Sequence, residues 1–292
     1  MTKFSIFVTG LVFVLWACVA GIQAAAPYLP GAGMMTYLTQ TRDGFFRFHL
    51  LDPNTAETFD VAGNLDFDLY LDTSPDGRRI VTQAVADRQS VLRVFDLYTG
   101  AAHDIPRSHP PFYRVYWGQG DVILLSTINA EIYKVDLQTG EPQLLHNAFA
   151  DAMALSPDGR WLAYTQRDHL AVVDLDAGVE TTLINVADNT ASFPTLPAFS
   201  PDSTRLTYLS GAHDRDRFGI YTVDLATFET RKMSDRIFNG INFPTWSPNG
   251  RRIGFVAING TQSDVFVINV ATGNWRQITD TPGYEQQLVW SR

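Results

Sequence analysis

"WSPNGRRIGFV", Trp246–Val256, is a serine-proline-asparagine-glycine turn feeding an apolar run, and the chain writes it again three times. The other copies are "TSPDGRRIVTQ" from Thr73, "LSPDGRWLAYT" from Leu155 and "FSPDSTRLTYL" from Phe199. With the serine as phase marker, and Gly118 of "WGQGD" as a degenerate copy, the beats fall at Ser74, Gly118, Ser156, Ser200, Ser247 and Ser291. The intervals are 44, 38, 44, 47 and 44 residues. A period of that size dictates the whole architecture, because each unit is one supersecondary motif that cannot bury its faces alone.

The turn has a mechanical reading. Serine at the first corner, proline with its preset φ at the second, Asp or Asn at the third and glycine at the left-handed position make a type I turn with a following bulge. A second motif keeps time with the first: "VFDLYTG" from Val94, "YKVDLQTG" from Tyr133, "VVDLDAG" from Val172, "YTVDLATF" from Tyr221, "FVINVATG" from Phe266 and the looser "FHLLDPNT" from Phe48. Each is an alternating run ending in polar turn residues, the pattern of a half-buried strand entering a hairpin.

Each repeat therefore holds four short strands, and radial closure is how a few such units bury both faces. The strand before the turn recurs six times: Phe67–Asp72, Phe112–Trp117, Asp151–Leu155, Thr195–Phe199, Asn242–Trp246 and Gln286–Trp290. The expected fold is all-β, a six-bladed propeller of four-stranded blades. "MMTYLTQ" from Met34 matches the strand after the turn, whereas "QLVWSR" stops where another turn would start. The two termini are thus expected to share one blade, closing the ring and removing two sheet edges.

Composition sets the outer limits. The 292 residues are 45% hydrophobic and 18% charged, with net charge −9, a balance that disfavours nucleic acid and anionic lipid as partners. Lys3 followed by the uncharged Phe4–Ala20 reads as a secretory leader, residues 1–24, with a short linker over 25–33 and the propeller over 34–292. An uncleaved membrane anchor and a lipoprotein signal at Cys18 are the alternatives, so an extracytoplasmic site, periplasmic or secreted, is expected in each case. Cys18 is the only cysteine, which leaves the exported domain no disulfide and no thiolate chemistry. No GxSxG is present, and the six histidines show no paired metal-ligand spacing. No catalytic residue and no cofactor is expected, with a divalent cation in the channel left open.

"FPTWSPNGRRIGFV" and "DVFVINVATGNWRQITDTPGYEQQLVWS" resemble the repeat of the TolB-like six-bladed propellers, over Met34 to Arg292. The resemblance implies a protein-binding role at the cell envelope. Related repeats also occur in propellers attached to peptidases and in oligogalacturonate lyases, so a carbohydrate- or lactone-active enzyme is the second reading.

Recognition is expected on the face that carries the connections into the innermost strands and the opposite hairpins. Phe112, Tyr113, Phe193, Phe238, Phe243 and Tyr284 would supply an aromatic rim, and Arg114, Asp151, Asn242 and Glu285 would lie near the channel mouth. In the loop Ser210–Gly219, Asp214 and Asp216 with Arg215 and Arg217 would grip a partner, help bind calcium, or pair locally as a solvated hairpin tip. The expected partner is a protein, with membrane contact only through the N-terminal segment and the domain a monomer.

Overall fold

The structure is a computed structural model that describes residues 33–40, 46–65, 71–86, 89–97, 99, 101–105, 110–166, 169–185, 194–211, 217–233, 238–259, 261–280 and 283–291. The proposed leader, residues 1–24, lies outside the described residues. Among the described residues every regular element is a strand. The first three are β1 (Met35–Gln40), β2 (Phe46–Leu51) and β3 (Thr58–Leu65). Blade 1 follows as β4 (Leu71–Thr73), β5 (Arg79–Ala86), β6 (Gln89–Asp96) and β7 (Ala102–Asp104). Blade 2 is β8 (Phe112–Trp117), β9 (Val122–Thr127), β10 (Ile132–Asp136) and β11 (Pro142–His146). Blade 3 is β12 (Ala152–Leu155), β13 (Trp161–Gln166), β14 (His169–Asp174) and β15 (Val179–Asn185). Blade 4 comprises β16 (Pro194–Phe199), β17 (Arg205–Gly211), β18 (Arg217–Asp224) and β19 (Thr230–Lys232). Blade 5 comprises β20 (Phe238–Trp246), β21 (Arg252–Asn259), β22 (Gln262–Asn269) and β23 (Trp275–Gln277), and β24 (Glu285–Trp290) ends the chain.

The pairing order β24-β1-β2-β3 makes the sixth blade from both ends of the chain. Met35 lies opposite Trp290 and Thr36 opposite Val289, so the terminal strands close the ring as antiparallel neighbours. The fold is a six-bladed, all-β propeller.

The repeated turn is built as its chemistry requires. Its fourth-position amide bonds back to the serine carbonyl at Gly77, Gly159, Ser203 and Gly250, over 2.8–3.0 Å. Those four residues are left-handed, with φ of 68°, 78°, 60° and 66°. The serine Oγ accepts the amide of the residue five positions on and donates to the turn's Asp or Asn, as Ser74 does with Arg79 (2.9 Å) and Asp76 (2.5 Å). In blade 2 the turn is one residue tighter, Gly118 N–H reaching Val122 O at 2.7 Å. The second motif keeps time because the two turns are bonded together: Leu97, Leu175 and Leu225 donate to the carbonyls of Arg78, Arg160 and Thr204 at 2.8–2.9 Å. Both motifs therefore occupy one face, the turn face.

Ser203, which departs from the glycine pattern, holds its left-handed φ and also accepts the amide of Asp158 from blade 3 (3.1 Å). The departure is thus an inter-blade bond. The tryptophans before the turns are wedges between blades, as in the cluster that joins Trp117 to Val81, Leu92 and Val94 of blade 1. Arg79, Arg205 and Arg252 of the preceding blade lie over Trp117, Trp246 and Trp290 at 5.0, 4.8 and 6.0 Å from the ring centres.

Candidate functional site

With both repeated motifs spent on the turn face, the opposite face carries what does not repeat. It is formed by the hairpins between second and third strands of each blade and by the connections into the innermost strands. We call it the loop face.

Where blades 1, 2 and 3 meet, β8 supplies three of the expected residues. Phe112 is buried in the blade 1–2 core, because a register shift between Phe112 and Arg114 changes which way the strand start faces. Tyr113 is half-buried, its hydroxyl donating to Ala150 O (2.9 Å) and accepting from Ser126 Oγ (3.2 Å). The Arg114 guanidinium lies 5.8 Å from the centre of the Tyr113 ring. Asp151 is exposed, and its carbonyl accepts from the Tyr116 hydroxyl (2.8 Å). Two neighbours were not singled out from sequence, Tyr116 and Asp72. Asp72 accepts from the amides of Trp117 (2.7 Å) and Thr73 (2.8 Å), and burial pushes its carboxyl up to about 6. Burial first, then the nearby charge of Asp72, pushes the Tyr116 phenol above its ordinary range.

At the blade 5–6 seam, Glu285 is 2% exposed and committed to the fold. Its carboxylate accepts from Thr279 Oγ1 (2.9 Å), whose oxygen in turn accepts the amide of Val265 (2.8 Å). The Glu285 amide donates to Ser263 Oγ (2.6 Å) and its carbonyl accepts from the same hydroxyl (3.1 Å). Tyr284 beside it is exposed. Asn242 is exposed, while Phe243, in a left-handed conformation (φ 54°), packs half-buried against the blade 5–6 core. Phe238 begins β20, opposite Phe218 of β18. Phe193, Asp214 and Asp216 lie outside the described residues.

Of the described histidines, His49, His146 and His169 pack against tyrosine rings, whereas His103 is exposed. His49 stacks on Tyr37 (4.9 Å) and bridges Thr39 Oγ1 and Asp60 Oδ1, each at 2.7 Å, tying β1, β2 and β3 together. Its burial lowers its pKa despite the opposing pull of Asp60. His146 reaches Glu180 across the blade 2–3 seam (2.7 Å). Among the described residues no group of three or more His, Cys, Asp or Glu side chains is disposed to hold a metal ion.

Among its described residues the loop face also presents exposed apolar side chains. Ile128 is 66% exposed, Tyr284 55%, Phe149 43% and Ile258 42%; the first three sit in its hairpins or connections and Ile258 near the end of β21. Only Tyr284 belongs to the expected rim. The others occupy hairpin ends and a connection, "TINAE", "NAFAD" and "VAING", where no period marks an exposed apolar residue.

The fold and this face define a six-bladed β-propeller whose described loop-face polar groups are largely bonded within the scaffold. Its repeat is TolB-like: residues 166–292 match the family described as the TolB beta propeller domain. The Tol-Pal system protein TolB of Gluconobacter oxydans is 33% identical over 119 residues, 40% of this chain and 24% of that protein. Dipeptidyl-peptidase 5 of Porphyromonas gingivalis is 24% identical over 139 residues, 42% of this chain and 20% of that enzyme. The aligned stretches thus span about a quarter or less of the curated relatives they match. The crystal structure of TolB from Acinetobacter baumannii superimposes on 90% of this chain and 68% of its own, with a TM-score of 0.68 at 17% identity, a likeness of fold.

Proposed function

We propose that this propeller is an extracytoplasmic protein-binding module that receives its partner on the loop face at the cell envelope. The observation that carries the reading is the exposure of Ile128, Phe149, Ile258 and Tyr284 on that one face. Exposed apolar side chains beside convergent polar groups mark interaction surfaces on otherwise polar proteins. The TolB-like repeat supports a binding role, and the leader read at residues 1–24 supports export. A photo-crosslinking residue placed at Phe149 should trap a protein partner in envelope extracts, and the same residue at Val179 on the turn side should trap none. Cross-links from Val179 alone, or from neither position, would refute the reading.

A second reading, an enzyme acting on a carbohydrate or lactone at the channel mouth, draws on Asp72 with its raised pKa near Tyr116 and Arg114. Turnover of such a substrate that is lost in Asp72→Asn would favour it over the binding module.

A further inference from the structure

Blade 6 brings a hydroxyl, an imidazole and a carboxylate into one bonded row. In β2, Phe48 and Leu50 are buried on one side of the sheet, and Arg47, His49 and Leu51 alternate onto the other, which faces blade 5 through Leu51. Register fixes the neighbours of His49 on that side: Tyr37 opposite it on β1, Asp60 opposite it on β3, and Thr39 one diagonal away, opposite Arg47. Thr39 Oγ1 lies 2.7 Å from His49 Nε2, and His49 Nδ1 lies 2.7 Å from Asp60 Oδ1. An ionised carboxylate only accepts, so Nδ1 carries the proton toward Asp60, Nε2 of the neutral ring is an acceptor, and the Thr39 hydroxyl donates to it. Burial keeps the ring neutral, lowering its pKa against the pull of Asp60. Tyr37 stacks on the imidazole at 4.9 Å and 21° and holds its plane. Thr39 is half-buried and the Asp60 side chain is 76% exposed, so the row opens to solvent.

A tie between strands does not call for this chemistry. In blade 1 the same register position is filled by Arg93, paired to Asp104, with Ala84 where Thr39 stands. Blades 2 to 5 place Tyr133, Ala171, Tyr221 and Phe266 there, opposite Leu144, Thr182, Lys232 and Gln277. The repeat thus holds its outer strands without a base, and blade 6 alone has one between a hydroxyl and a carboxylate.

We propose that Thr39 is a nucleophile, His49 its general base and Asp60 the residue that positions that base, and that the three hydrolyse small carboxylic esters on the flank of blade 6. Such a triad is recognised by geometry and roles, on any fold. The Thr39 oxygen adds to the ester carbonyl carbon as its proton passes to His49 Nε2; the ester C–O bond then breaks, and the alcohol leaves with that proton. Water adds to the acyl carbon and gives a proton to Nε2, and the Thr39 oxygen takes that proton back as the acid departs. Arg47, exposed and opposite Thr39, supplies positive charge for the oxyanion that forms between these steps. The inference is independent of the protein-binding reading and lies away from the channel wall around Asp72.

The test uses the full chain and 4-nitrophenyl acetate, with nitrophenolate followed by absorbance and protein quenched in acid during turnover for peptide mass spectrometry. Release should exceed the rate in buffer, and the quenched protein should carry an acetyl group on Thr39. Thr39→Val should abolish both, Thr39→Ser, which keeps a hydroxyl, should restore both, and His49→Gln should slow release on the order of a hundredfold. The rate should rise with pH through one ionisation below 6.5, which moves further down in Asp60→Asn and up in Arg47→Gln, because the two charges pull His49 in opposite directions. Should Thr39→Val or His49→Gln melt below the assay temperature, the place of the acetyl group and the direction of those two pH shifts decide. No release above buffer, release unchanged in Thr39→Val, acetyl groups on lysine or tyrosine alone, or a pH profile indifferent to Asp60→Asn would overturn the inference. Any of these with the Phe149 cross-links intact overturns this site and leaves the binding module standing.

Discussion

Replacing Trp290 by alanine should open the ring where its two ends meet. The indole is buried against Met35, Val256, Val265 and Val267, its Nε1–H donates to Gly33 O (2.8 Å), and Arg252 lies over the ring at 6.0 Å. Truncation of a buried tryptophan costs roughly 3–5 kcal/mol, and the orphaned Gly33 carbonyl adds about 1 kcal/mol. At about 2–4 °C per kcal/mol for a domain of this size, the melting temperature should fall on the order of 10–20 °C. Trp246→Ala is the matched control. That ring is also buried, donates to Ala198 O (3.0 Å) and lies under Arg205 at 4.8 Å, but its blade is continuous in the chain. Both variants should lose similar stability by thermal melting, whereas amide exchange should separate them. Trp290→Ala should speed exchange in β1 as well as β24, because this wedge packs with Met35, Tyr37 and Leu288 at the pairing that joins those strands. A fall of less than about 4 °C, or unchanged exchange across Met35–Leu38, would refute closure by the shared blade.

Three further outcomes follow from the turns and the channel wall. Gly77→Ala should cost about 2–3 kcal/mol in urea melts, since its φ is +68° and its Cβ would fall 2.6 Å from Thr36 Oγ1 and 2.8 Å from Ser291 Oγ; Gly159→Ala, with φ +78° and open space, should cost only about 1 kcal/mol. Asp72→Asn should be more stable than the natural protein at pH 7.5, with the gap closing as pH falls toward 4. A carboxyl whose folded pKa is raised contributes most when protonated in both states, and that contribution is lost as pH rises from its ordinary 3.8 through about 6, so parallel stability curves would contradict its burial. Ser203→Gly should change stability by less than about 0.5 kcal/mol, relief of the left-handed strain offsetting the lost bond to Asp158; a cost above about 1.5 kcal/mol would show the bond to dominate.

The architecture was legible because its determinants are local and repeated. A serine that bonds across its own turn and a glycine that alone adopts the left-handed corner cheaply leave the same trace at Ser74, Ser156 and Ser247, and the phase of that trace places the chain ends in one blade. The loop face left no such trace. Phe112 and Glu285 stand at strand starts, which alternation alone would turn toward the mouth, yet a register shift buries one and the Ser263–Thr279 bonds enclose the other. Asp72 reads as a polar residue in a short strand, and its role becomes visible only when the neighbouring blade brings the Trp117 amide to it. Ile128, Phe149 and Ile258 follow no period, because exposure of an apolar side chain is decided by loops whose course no repeat constrains.

One seam of the ring differs in kind from the rest. The start of β20 pairs with β18, Arg217 opposite Asn239 and Phe218 opposite Phe238, so blades 4 and 5 form a single eight-stranded sheet. Among the described residues no other seam is crossed by strand pairing, so parting blades 4 and 5 would have to break ladder bonds that the other seams lack. Blades 4 and 5 should therefore behave under load as one stiff arc, and a circular permutation that cuts between β19 and β20 should be tolerated least of any cut between blades.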